Sequence, residues 1–201
     1  MIINRCLSIS FLTIIFISFA GCSSKLEEIK YVFIGDSIIA GRDIEYYFPY
    51  LNIENLGIDG AKIRDLDFNF WSSDLKQTAL ISLVGTNDIA ALKESTLSSI
   101  SLGEIVSSYK LGILKSNASK IIVISILPRN GANAEIINQQ RIKVNEELNN
   151  MTKDIPHVIF LDVFNNFIGQ DGQLDMNYSA DGIHLNSYDY ELLSAKLSAI
   201  L

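Results

Sequence analysis

Cysteine, histidine and proline are scarce in this 201-residue chain, at two, two and three residues, with a single tryptophan. Two cysteines exclude a disulfide framework or a cysteine-rich zinc site. Two histidines leave few choices for any reaction that needs an imidazole base. Basic residues are also outnumbered, 16 against 23 acidic ones, giving a formal net charge of −7. That balance argues against a nucleic-acid partner, because phosphate backbones select basic surfaces. Long apolar runs are equally rare. The one at residues 6–19, CLSISFLTIIFISF, spans 14 residues, short of the ~20 that a membrane helix needs. Hydrophobic residues make up 48% and charged ones 19%, which excludes a disordered chain and suits one domain with a continuous core.

The apolar run has the flanks of an export signal. Arg5 is the only charge before Lys25, and the run ends in Phe19-Ala20-Gly21-Cys22. This ending resembles the lipobox of bacterial lipoproteins, with Phe19 in place of the usual leucine-like residue. The resemblance implies cleavage before Cys22, lipidation of Cys22 and an exported protein anchored to a membrane. Ser23 after the cysteine points to the outer membrane or cell surface. An uncleaved anchor helix or a soluble export signal are the alternatives. The expected layout is a signal peptide over 1–21, lipidated Cys22 with a tether over 22–30, and one domain over 31–201. Cys6 would leave with the signal, so no free thiol would remain as a nucleophile or zinc ligand.

From residue 31 onward strand-like and helix-like segments alternate. Tyr31 to Ile34, Leu51 to Leu56, Ala79 to Val84, Ile121 to Leu127 and Val158 to Val163 are short apolar runs. Such runs suit parallel strands buried on both faces. Between them, Leu102, Ile105, Val106, Tyr109 and Ile113 share one helical stripe, as do Ile137, Val144, Leu148 and Met151. A last helix follows Asn186 or Ser187, either of which can cap it, and carries Leu193, Leu197 and Ile200. This alternation predicts an α/β fold, a three-layer α/β/α sandwich around a mainly parallel five-stranded sheet of flavodoxin-like type. In such sheets, sites form beyond the carboxyl ends of the strands. Gly35-Asp36-Ser37, Gly57-Ile58-Asp59-Gly60 and Gly85-Thr86-Asn87-Asp88 all fall there.

Ser37 follows a strand and a glycine, where a new helix presents its hydroxyl at the sheet edge. A serine hydroxyl needs a base to become a nucleophile. His157 follows Pro156 at the start of the fifth strand, the wrong end for this site. His184 precedes the last helix, and Asp181, three residues earlier, can fold back onto its ring. Ser37, His184 and Asp181 therefore form a candidate triad. Oxyanion donors would be the Ser37 N–H, the Gly57 N–H, unshielded by any side chain, and the Asn87 side-chain amide.

Gly35-Asp36-Ser37, Gly57, Gly85-Thr86-Asn87-Asp88 and Asp181-Gly182-Ile183-His184 resemble, in order, four conserved blocks of the SGNH (GDSL-type) hydrolases. Ile126 to Arg129 also resembles a segment of that family's acetylhydrolase-like branch. The resemblance implies a flavodoxin-like sandwich and metal-free, cofactor-free hydrolysis of esters or thioesters. The expected function is a serine esterase acting on short acyl groups of a small molecule or glycan. The short connections offer no apolar lid, and the long stretch from Asn165 to Asp181 is polar. A lysophospholipase or thioesterase for longer chains is the alternative enzyme, and a non-catalytic binding lipoprotein the alternative class.

Overall fold

The computed structural model describes residues 28–41, 43–66, 74–94 and 102–201. The expected signal segment, Cys22 and Trp71 lie outside these residues. Five strands, β1 (Lys30–Gly35), β2 (Asn52–Gly57), β3 (Thr78–Leu83), β4 (Lys120–Ile124) and β5 (Val158–Leu161), form one sheet. Every pairing is parallel, and the spatial order is β2-β1-β3-β4-β5. The helices are α1 (Ser37–Ala40), α2 (Ile44–Tyr47), α3 (Thr86–Glu94), α4 (Leu102–Lys115), α5 (Ala134–Thr152) and α6 (Ser187–Ser198).

Alternation along the strands feeds two cores. Val32, Ile34, Leu80, Ile121 and Val123 pack against Ile105 and Ile113 of α4 and Val144 and Leu148 of α5. Phe33, Ile81, Ile122 and Ile124 face the other way, onto Ile38 and Ile39 of α1, Ile44 of α2 and Leu193 of α6. The α/β/α sandwich expected from the sequence is thus the observed architecture. β3, at the centre, is buried at all of its positions, as a near-continuous apolar run requires. Each such buried aliphatic side chain contributes about 1.5–3 kcal/mol.

The chain reverses its direction of travel across the sheet between β1 and β3, which makes their carboxyl ends a topological switch point. Register brings those ends level, with Gly35 opposite both Gly57 and Leu83. The Asp36 N–H extends this ladder by donating to Leu83 O at 3.2 Å.

β4 is shorter than its apolar run. After Ser125, whose N–H still donates to Leu161 O at 3.0 Å, the backbone leaves the ladder and pairs with two asparagines of α5. Asn145 accepts from the Ile126 N–H at 2.8 Å and donates to Ile126 O at 2.9 Å. Asn138 makes the same two-way pair with Arg129, both at 2.9 Å. Spaced by seven residues, these side chains lie on one helix face and stand in for a neighbouring strand.

Candidate active site

Asp36 shapes the turn that presents Ser37. It caps α1, its Oδ1 accepting from the Ile38 N–H at 3.0 Å. Its carboxyl is fully buried, and Oδ2 has no hydrogen-bond partner among the described residues. Burial pushes this carboxyl up to about 6, a shift opposed by the Ile38 N–H, the charge of Arg141 and the nearby Thr86. Arg141 is buried too, and donates from Nη1 to Leu127 O at 2.5 Å. Burial pushes its guanidinium down to about 9, Arg129 adding to the effect and Asp36 opposing it.

His184 meets Ser37 across the sheet edge, with Nε2 2.8 Å from Ser37 Oγ. Its Nδ1 lies 2.7 Å from Asp181 Oδ2. Burial opposes ionisation of Asp181, but hydrogen bonds from the His184 ring and from the His184 and Ile183 N–H groups outweigh it. The carboxyl is held well below the ordinary range. An ionised carboxylate only accepts, so Nδ1 carries the hydrogen of the neutral ring and Nε2 turns its lone pair to the Ser37 hydroxyl. The expected Ser37, His184 and Asp181 are therefore brought together in relay order. His157 is exposed at the opposite, amino-terminal edge of the sheet, where its carbonyl accepts from the Ile121 N–H.

The turn bearing Asp181 and His184 is tied down by groups that sequence reading did not single out. Ser179 Oγ accepts from the Gly182 N–H at 2.9 Å and directs its proton at His184 O, 2.7 Å away. The Asn130 N–H donates to Gly182 O at 2.8 Å, and Asn130 Nδ2 to Leu174 O at 3.0 Å. The segment after Pro128 thus clamps the His184 turn, and α5 holds that segment through Asn138. A polar pair spaced by seven on an otherwise amphipathic helix was the only signal for it.

The expected role of Gly57 is corrected. Its N–H donates to Asn55 Oδ1 at 3.0 Å, and it packs so closely on α1 that a Cβ would sit 2.3 Å from Ala40 N. The glycine that lines the cleft with Ser37 is Gly60. It has φ +71°, left-handed backbone that favours glycine, and its N–H makes no hydrogen bond among the described residues. Asn87 stands across from it. Its Nδ2 donates to Ala61 O at 2.9 Å, which fixes the amide and leaves a second N–H. Ser37, Gly60, Asn87, His184, Leu185 and Tyr190 line one open cleft of about 570 Å³. The switch point therefore holds a serine with a directed base and an unused set of amide donors, the parts of an acyl-transfer site.

The chain is similar to several known proteins. The rat platelet-activating factor acetylhydrolase IB subunit alpha2 is 26% identical over 187 residues, covering 90% of this chain and 78% of its own length. The chicken subunit is 25% identical over 189 residues, with the same coverage of both chains. Among solved structures, a catalytic mutant of an acetylxylan esterase from Geobacillus stearothermophilus shares the fold. Its TM-score is 0.69 at 18% identity, over 85% of this chain and 93% of that one. A GDSL-like lipase from Bacteroides thetaiotaomicron superposes with a TM-score of 0.63 at 20% identity, over 85% of this chain and 86% of that one. The family model of the GDSL-like lipase/acylhydrolases matches residues 33–192, a span that carries every element of the cleft. With that match covering most of its length, the chain belongs to the GDSL-like lipase/acylhydrolase family and is an ester hydrolase.

Proposed function

We propose that this hydrolase removes short, acetyl-like acyl groups from a polar alcohol such as a sugar, through a covalent intermediate on Ser37. The observation that carries the reading is the Ser37–His184–Asp181 relay opening into a cleft with unused amide donors. Ser37 Oγ attacks the ester carbonyl carbon while its proton passes to His184 Nε2. The carbonyl electron pair moves onto oxygen, facing the Ser37 and Gly60 N–H groups and the second N–H of Asn87. Collapse breaks the bond to the alkoxy oxygen, which leaves with the proton from His184. Water then gives a proton to the ring and its oxygen attacks the acyl carbon. The carboxylic acid departs and Ser37 regains its hydrogen. Asp181 stays ionised throughout and stabilises the imidazolium.

A short acyl group is favoured because the cleft is open and, among the described residues, polar Ser37, Asp59, Asn87 and His184 line it beside Leu185 and Tyr190 as the large apolar side chains. The acetylhydrolase name of the relatives that match over most of this chain supports the same choice. Lipidation at Cys22 would hold the enzyme on a membrane, at the outer membrane or cell surface. Hydrolysis of p-nitrophenyl esters by protein lacking residues 1–22 tests the acyl length. We expect kcat/KM to peak at acetate or butyrate and to fall with longer chains. A maximum at eight carbons or more would replace this reading with a lysophospholipase or thioesterase.

A further inference from the structure

The edge of the sheet opposite the cleft carries a second concavity, of about 410 Å³. Tyr31, Pro49, Tyr50, Leu51 and Leu201 line it. Tyr50 stands almost fully in solvent, at 94% exposure, and Ile29, one residue before β1, is 47% exposed. Tyrosines with a wet hydroxyl and an apolar body, beside aliphatic neighbours, match the boundary between lipid headgroups and acyl chains. Ion pairing on this edge is internal, with Lys30 Nζ 2.6 Å from Glu54. No charged side chain lines the concavity among the described residues, so its affinity for a membrane would be apolar.

Position in the chain supplies the partner. Tyr31 is the second residue of β1 and follows Cys22 by nine positions in the sequence. Residues 23–30 reach at most about 29 Å when fully extended. A lipid on Cys22 would thus hold the aromatic edge within one tether length of the bilayer. At such effective concentration even a weak apolar contact is occupied. β1 then runs away from that edge, and the six residue steps from Tyr31 to Ser37 span about 20 Å at strand rise.

We propose that the edge around Tyr31, Tyr50 and Leu51 is a membrane-contact surface, resting on the bilayer that holds Cys22 and turning the catalytic cleft away from it. This rests on the Cys22 anchor of the proposed function and deepens that reading. Lipids of the anchoring leaflet are then beyond the reach of Ser37, and the accessible esters are those of dissolved molecules or of polymers on the far side.

The test uses the full chain made in a bacterial host that processes lipoproteins, reconstituted into phosphatidylcholine vesicles with spin-labelled lipids. An environment-sensitive fluorophore is placed at Tyr50→Cys, or at Glu135→Cys, which is exposed at the start of α5 on the cleft side. We expect quenching by headgroup-proximal spin labels at position 50 and none at 135, with p-nitrophenyl acetate turnover unchanged in both. Floating protein that is unquenched at 50, or quenched at 135, overturns the orientation while leaving the anchor standing. Protein that lacks lipid by mass and does not float overturns the anchor and the orientation together.

Discussion

Asp36 offers the sharpest test of the physics beneath the cleft. Its carboxyl is 0% exposed, and burial lifts it from 3.8 to about 6 despite the pull of Arg141. Below the unfolded value both states hold the proton, and burial costs little. Between about 4 and 6 the native state keeps a proton that the unfolded state has lost, so stability falls as pH rises. Above the folded value the penalty is complete, and a difference of roughly two in pKa corresponds to about 3 kcal/mol. Asp36→Asn has the shape of the neutral acid and keeps an oxygen to accept from the Ile38 N–H. Urea unfolding of wild type and variant at matched pH values isolates this one group, because every other titration cancels in the difference. The variant's stability relative to wild type should grow by about 3 kcal/mol from about pH 3 to pH 7. A difference that stays flat would refute the burial argument. A difference of opposite sign would show that Arg141 holds Asp36 ionised as a net favourable pair.

Ser37→Ala and His184→Ala should each abolish nearly all turnover of p-nitrophenyl acetate, while His157→Ala should leave it intact. Asn87→Ala should lower kcat by on the order of 10²–10³ with little change in KM, since its free N–H meets charge that forms only in the transition state. Gly57→Ala should lower the melting temperature, because its Cβ would strike the α1 backbone at Ala40; an unchanged melting temperature with lost activity would return Gly57 to the oxyanion role. Activity should survive EDTA, and loss restored by a divalent ion would require another mechanism.

The sequence shows the layers of this fold clearly because the buried strands read as apolar runs that stop at a glycine. Gly35 and Gly57 end their strands where expected, and Ser37, Asn87 and His184 lie just beyond the sheet edge or before the last helix. What it hides is the direction of single amides. Gly57 and Gly60 sit three residues apart in one polar turn, and composition cannot tell which N–H faces the serine. The answer lies in a positive φ at Gly60 and in the Asn55 side chain that takes the Gly57 N–H. Buried polar groups are hidden for the same reason. Tyr109 reads as one more member of an apolar stripe, yet its hydroxyl accepts from the Val84 N–H and donates to Val84 O, bracing the chain before Asn87. Asn138 and Asn145, on which the apolar pattern is silent, pair with the backbone beyond β4.

The distance along the chain between Ser37 and His184 is 147 residues, whereas His184 and Asp181 are neighbours on one turn. A ribosome therefore makes Ser37 well before His184. Until His184 has emerged and docked, Ser37 Oγ lacks the Nε2 that stands 2.8 Å from it in the fold. The contact between the two side chains exists only when these distant segments have met.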